Sequence, residues 1–155
     1  MRLSTRGRYA LEAVLALTLC EADKPVSLNE ISVMTALSRP YLEHIFTHMK
    51  RAGLVLSVRG SQGGYRLAVK PNEITAGQVL RAAEGSLAPV RCTRPDNMAD
   101  ACARADLCRT RPVWTELDRA ISSFVDRLTL AALAESYRTE SGDCYLPATG
   151  GTGGD

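Results

Sequence analysis

Apolar residues at Ala10, Ala13, Val14 and Leu17, with a second stripe at Leu11 and Leu15, fall at helical spacing on two faces of residues 9–19. The segment predicts a first helix that is buried. After the turn at Asp23-Lys24-Pro25, Ser27 and Glu30 have the spacing of a capping box and predict a short second helix from near Leu28 to near Ala36. Ser38 is the expected N-cap of a third helix, with Pro40 tolerated in its first turn, where backbone donors lack helical partners. Leu42, Ile45, Phe46 and Met49 make one apolar stripe; the other face carries Pro40, His44, Thr47 and Arg51, flanked by Glu43, His48 and Lys50. Gly53 marks its end. Two helices so close together, the second with a polar outer face, form a helix-turn-helix candidate.

Residues 54–58 and 65–69, LVLSV and YRLAV, are β-branched runs on either side of RGSQGG, where Gly60, Gly63 and Gly64 can supply the positive φ of a tight tip. A hairpin carrying Arg59 and Arg66 directly after a helix-turn-helix describes a winged helix, with the third helix read into a major groove. The alternative is a surface hairpin that only joins two helices. On the DNA reading, Arg39, Glu43, His44 and Thr47 reach toward base edges, Arg51 lies on the same outer face, and Arg59 meets a minor groove or phosphate. Tyr9 and Tyr41 either pack or touch phosphate.

Residues 74–84 predict a further short helix ended by Gly85. Beyond Pro112, Trp114, Leu117, Ile121, Phe124 and Leu128 are spaced 3, 4, 3 and 4 apart, a heptad seam that reads as a dimer helix or as a helix laid along its own N-terminal domain. A reader with one helix per half-site favours the dimer. The expected fold is mainly α with a small β-hairpin: a winged helix-turn-helix domain plus a long dimerisation helix. Its divisions are residues 1–85 for DNA binding, 86–111 for a cysteine-rich loop, 112–138 for the dimerisation helix and a short following helix, and 139–155 for a flexible tail.

Charge sharpens the picture. The chain has 155 residues and a net charge of +2, but residues 1–70 hold ten Lys and Arg against five Asp and Glu, and the remainder is acidic. A basic first half suits a polyanion, because neutralising phosphates releases counterions. With no signal peptide or membrane-length apolar run, the expected location is cytoplasmic, away from any membrane. An enzyme is not expected: there is no phosphate loop and no nucleophile-base pairing, and the two histidines lie on the presumed DNA face.

The segment RCTRPDNMADACARADLCRTRPVW places Cys92, Cys102 and Cys108 in polar sequence. In a reducing compartment, clustered thiols point to metal or redox chemistry. Their C-x9-C-x5-C spacing lacks the close pairs of a zinc knuckle and suits a larger iron-sulfur cluster. Arg91, Arg94, Arg104, Arg109 and Arg111 surround the thiols and favour thiolate. The same cations would activate bare thiols, so a thiol redox switch is the rival reading. Cys20 is read as a small core residue and Cys144 as a tail bystander.

MRLSTRGRYALEAV, SRPYLEHIFTHMKRAGLVLSVRGSQGGYRLA and the three-cysteine loop running into W-x2-L together resemble the IscR and NsrR family of bacterial winged-helix regulators, over residues 1 to about 135. The resemblance implies a homodimer on double-stranded DNA at a pseudo-palindromic operator. It also implies a 2Fe-2S or 4Fe-4S cluster on Cys92, Cys102 and Cys108 that controls DNA binding, and regulation of iron-sulfur cluster biogenesis. The nitric oxide- or iron-responsive branches are the alternative. Where the IscR branch has a ligating histidine this chain has Arg111, which cannot become a ligand. Some three-cysteine relatives take a ligand from the partner's first helix, and Glu12 is the matching carboxylate here.

Overall fold

The first helix, α1 (Thr5–Leu19), is the element on which the others stack. In the computed structural model, residues 4–20, 24–60, 62–94 and 107–141 are described. Ala10, Ala13, Val14 and Leu17 of α1 are buried, and its small alanines let α4 (Ala76–Glu84) approach closely. Helix α2 (Leu28–Thr35) begins with the expected capping box: Ser27 N–H donates to the Glu30 carboxylate at 2.7 Å, and Glu30 N–H to Ser27 Oγ at 3.3 Å. It ends at Ala36 in the left-handed region, φ 55°, where glycine is the usual residue. The Thr35 and Ser32 hydroxyls hold this turn, Ser32 Oγ donating to the Leu37 carbonyl at 2.6 Å.

Helix α3 (Arg39–Arg51) buries Leu42, Ile45, Phe46 and Met49, the stripe read from its periodicity; each contributes about 2 kcal/mol over an exposed position. Ser38 is the N-cap, as expected, with extended backbone, although its hydroxyl makes no cap bond. Gly53 follows at φ 71° and stops the helix.

Strands β1 (Val55–Val58) and β2 (Gly64–Leu67) pair antiparallel with Val55 opposite Leu67 and Ser57 opposite Tyr65. Val26 makes a separate antiparallel bridge to β2 through two 2.8 Å bonds with Tyr65. Of the three tip glycines only Gly60 has a positive φ, 123°. Gly63 and Gly64 are required for a different reason: a Cβ on either would strike backbone, that of Val58 or of Val26. Phe46 stacks at 4.6 Å on Tyr65 and so joins α3 to the wing.

Thr75 caps α4 in a second capping box, with Gln78, and Gly85 ends it at φ 86°. Helix α5 (Arg111–Arg127) has no buried residue; of its heptad seam, Leu117 is 40% and Phe124 57% exposed. Its far end is pinned to the body by Ala76 N–H donating to Leu128 O at 2.7 Å and Leu130 N–H to Ile74 O at 2.9 Å. Helix α6 (Leu130–Ser141) then returns to α1 and buries Leu130 and Ala134, so it belongs to the N-terminal core and extends past residue 138. No helix among the described residues is long and apolar enough to cross a membrane. The tail beyond residue 141, with Cys144, lies outside the described residues.

One carboxylate fastens α4 to α1. Glu84, at the end of α4, accepts from the Ser4 hydroxyl and from Gly7 N–H at 2.8 Å, with Arg6 Nη2 at 3.9 Å. The contact explains a glycine inside a helix: a Cβ at position 7 would lie 2.5 Å from Glu84 Oε1. Glu84→Ala should lower unfolding free energy by about 2 kcal/mol, read from the urea midpoint. Adding Gly7→Ala to Glu84→Ala should cost little more, since both disrupt one contact.

Candidate nucleic-acid interface and cysteine segment

The polar side of α3 divides between two neighbours. On the wing side, Arg39 Nε pairs with Glu43 Oε1 at 3.3 Å, Thr47 Oγ1 donates to the Glu43 carbonyl at 2.7 Å, and Lys50 Nζ donates to Ser57 Oγ of β1 at 2.8 Å. Between this flank and the hairpin lies a groove of 370 Å³ whose walls include Asn29, Arg39, Glu43, Ser57 and Gly64. On the α1 side, Tyr41 packs edge-on against Tyr9 at 5.8 Å, which gives both rings a packing role. His44 and His48 meet edge-to-face there too, and Arg51 is exposed. The His48 imidazole is held below its ordinary value of 6.5, first by burial and then by the charges of His44, Arg6 and Arg51. Arg59 is exposed at the start of the wing tip.

The structure therefore puts Arg39, Glu43, Thr47 and Arg59 on one side with the wing, and Tyr41, His44 and Arg51 on the other with α1. Sequence reasoning missed the Lys50–Ser57 tie. The signal was available: Ser57 is the polar residue between Leu56 and Val58 on β1, seven positions after Lys50.

In the cysteine segment, Cys92 sits half-buried in a 3₁₀ turn (Arg91–Thr93), and Cys102 lies outside the described residues. Cys108, also half-buried, stands before α5 with its Sγ 3.4 Å from Thr110 Oγ1. Its thiol is lowered from the ordinary value of 9.0, chiefly by the Thr110 hydroxyl, then by the Thr110 and Arg111 amides, with the charge of Arg111 last. The start of a helix, more than the surrounding arginines, favours thiolate here. Among the described residues no three His, Cys, Asp or Glu side chains gather as a metal site. Glu12 is exposed on α1 and has no ion-pair partner among the described residues.

Helix α5, which begins beside Cys108, is clamped to α4 by a two-point ion pair, Arg81 to Asp126 at 2.6 and 2.8 Å. Gly77 makes room for it, since a Cβ there would overlap the Asp126 carboxylate. Glu84, Gly85, Leu87, Arg94, Asp118 and Ser122 line a 510 Å³ groove between α4, α5 and the segment leading into the cysteines.

A buried-stripe helix presenting a polar face, set beside a hairpin with a cationic tip, defines a winged-helix DNA-binding transcription regulator. The chain belongs to the Rrf2 family: the model of that family, described as an iron-dependent transcriptional regulator, matches residues 3–136. It is 40% identical over 133 residues to the HTH-type transcriptional regulator IscR of Aliivibrio salmonicida (strain LFI1238), covering 86% of this chain and 77% of that one. Among solved structures it resembles T. potens IscR, with a TM-score of 0.74, 33% identity and 93% of each chain covered. It also resembles CymR, the global cysteine regulator of B. subtilis, with a TM-score of 0.70, 34% identity, and 88% and 98% covered. These relatives are transcription regulators, not enzymes.

The clamp gives a pH prediction. Arg81 holds the Asp126 carboxyl below its ordinary 3.8, so its contribution to stability is complete above that value and is lost as pH falls through the depressed one. The difference in urea midpoint between wild type and Asp126→Asn should shrink between about pH 5 and pH 2. A difference constant over that range would remove the clamp from the account.

Proposed function

We propose that the chain is a homodimeric repressor or activator, acting in the cytoplasm, whose operator binding is controlled by an iron-sulfur cluster on Cys92, Cys102 and Cys108. The observation that carries this reading is Cys108: a half-exposed thiol, tuned toward thiolate by Thr110 and Arg111 at the start of α5, just before the helix whose apolar Leu117 and Phe124 are exposed in the single chain. Thiolate donors of that kind fit an iron-sulfur cluster, and Glu12 on the partner's α1 is the candidate fourth ligand. When bound, the cluster supplies iron and sulfide that oxygen, nitric oxide or iron shortage can remove. Leu117, Ile121 and Phe124 would close the dimer seam, matching a two-fold operator. The Arg81–Asp126 clamp and Glu84 then lie between the cysteine segment and α1, against which α3 packs. Regulation of iron-sulfur cluster biogenesis is the most direct role; with Arg111 in place of a histidine ligand, a nitric oxide- or iron-responsive repressor is the second.

Oxygen-free purification is the test. A brown protein with stoichiometric iron and sulfide that turns colourless in Cys92→Ser and Cys108→Ser supports the cluster. A colourless wild type whose DNA binding responds to oxidants supports the thiol switch instead.

In the proposed DNA complex Arg39, His44, Thr47 and Arg51 meet the major groove and Arg59 the backbone or minor groove, with Tyr41 packed behind. Glu43 is repelled by phosphate and gains only by accepting from a cytosine amine. Glu43→Ala should therefore keep or raise overall affinity while losing about 1–3 kcal/mol of discrimination at one base pair, measured by anisotropy on operator variants. Arg59→Ala should weaken binding to all sequences and reduce the slope of log affinity on log salt by about 0.9. An unchanged slope would remove Arg59 from the phosphate contacts.

A further inference from the structure

His44 and His48 stand one turn apart on α3 with their Nε2 atoms 3.3 Å apart, ring centroids 4.7 Å apart and planes nearly perpendicular. Two imidazole nitrogens on one tetrahedral zinc, each about 2.0–2.1 Å from the ion, lie about 3.3–3.4 Å from each other. The spacing matches before any ion arrives. The helix beneath is held by four fully buried side chains, Leu42, Ile45, Phe46 and Met49, so little ordering remains to be done on binding.

We propose that His44 and His48 form a two-nitrogen site for zinc(II) on the α1-side flank of the recognition helix, separate from the three cysteines. Without an ion, one ring donates its Nε2 hydrogen to the other; for both to bind an ion, that hydrogen moves to Nδ1 on the same ring, a tautomer change with no net loss of a proton. Water fills the two remaining positions, which makes the site exchangeable instead of structural. Arg6 and Arg51 place positive charge near His48, and the neighbouring carboxylate of Glu43 is engaged by Arg39, so no third ligand completes the set among the described residues. Magnesium and calcium, which prefer oxygen ligands, are excluded by the donor type.

A consequence rests on the DNA role proposed for α3. His44 cannot offer Nε2 to an ion and to the operator together, so zinc and DNA compete, each lowering the apparent affinity of the other as its own concentration rises.

The chain has two histidines, so imidazole nitrogen resonances of the ¹⁵N-labelled full chain report on the site even while thiolates also take up zinc. On titration with zinc chloride both rings should shift along one binding curve. His44→Asn should weaken the zinc response of His48 about 10-fold or more, and His48→Asn that of His44. Rings that do not shift in excess zinc, or a His48 response unaltered by His44→Asn, would overturn the site. Operator binding is measured in parallel, each protein against its own zinc-free value: wild type should weaken with zinc and His48→Asn should not. Joint ring shifts with undiminished operator binding would uphold the site and reject His44 as a DNA contact.

Discussion

Close packing around α1 is the constraint on which the molecule depends. Ala10 and Ala13 are small enough to let α4 come against the helix, while Val14 and Leu17 fill the space toward the rest of the core. Because α2, α3, α4 and α6 all rest on this one helix, its burial sets the angle at which α3 is presented. Interiors packed at crystal-like density do not deform continuously, so a shift of any one of these helices is transmitted to the others. Glu84 strengthens the arrangement by tying the start of α1 to the end of α4 with a carboxylate among helix N-terminal donors.

Two glycines serve the same purpose at the two ends of α4. Gly7 lets the Glu84 carboxylate in, and Gly77 lets in that of Asp126. The first contact joins α4 to the DNA-binding body and the second joins it to α5. Helix α5 has no fully buried residue, and in the single chain it is held against α4 by half-buried side chains, by the Arg81–Asp126 pair and by the backbone bonds around Leu128 and Leu130. A helix held at few points and offering an apolar seam suits a surface completed by a second copy, and it is the element that carries Cys108 at its entrance.

The recognition helix has two flanks with different chemistry. Toward the wing it carries an ion pair and a lysine-serine bond that hold Arg39, Glu43 and Lys50 in order; toward α1 it carries aromatic and imidazole contacts. Base reading and metal binding would therefore occupy neighbouring parts of one helix, with His44 common to both.

Local rules in the sequence determined most of the elements. The capping box at Ser27 and Glu30, the apolar stripe from Leu42 to Met49 and the stop at Gly53 are read from residues within one or two turns of each other, and each is present as expected. Cys20 as a core residue follows from its apolar surroundings: it is buried with its Sγ 3.7 Å from Met34 Sδ. What only the tertiary structure decided are the contacts between residues far apart in the chain. Gly7 and Gly77 look like flaws in helices until Glu84 and Asp126, 77 and 49 positions away, come to occupy the missing side chains' space. Gly63 and Gly64 look like turn formers until the backbone of Val58 and Val26 closes over them, and the return of α6 to α1 shows in no local period. A sequence pattern records what each residue prefers along its own helix or strand, whereas close approach is set by which surfaces meet, and that is known only once the core has packed.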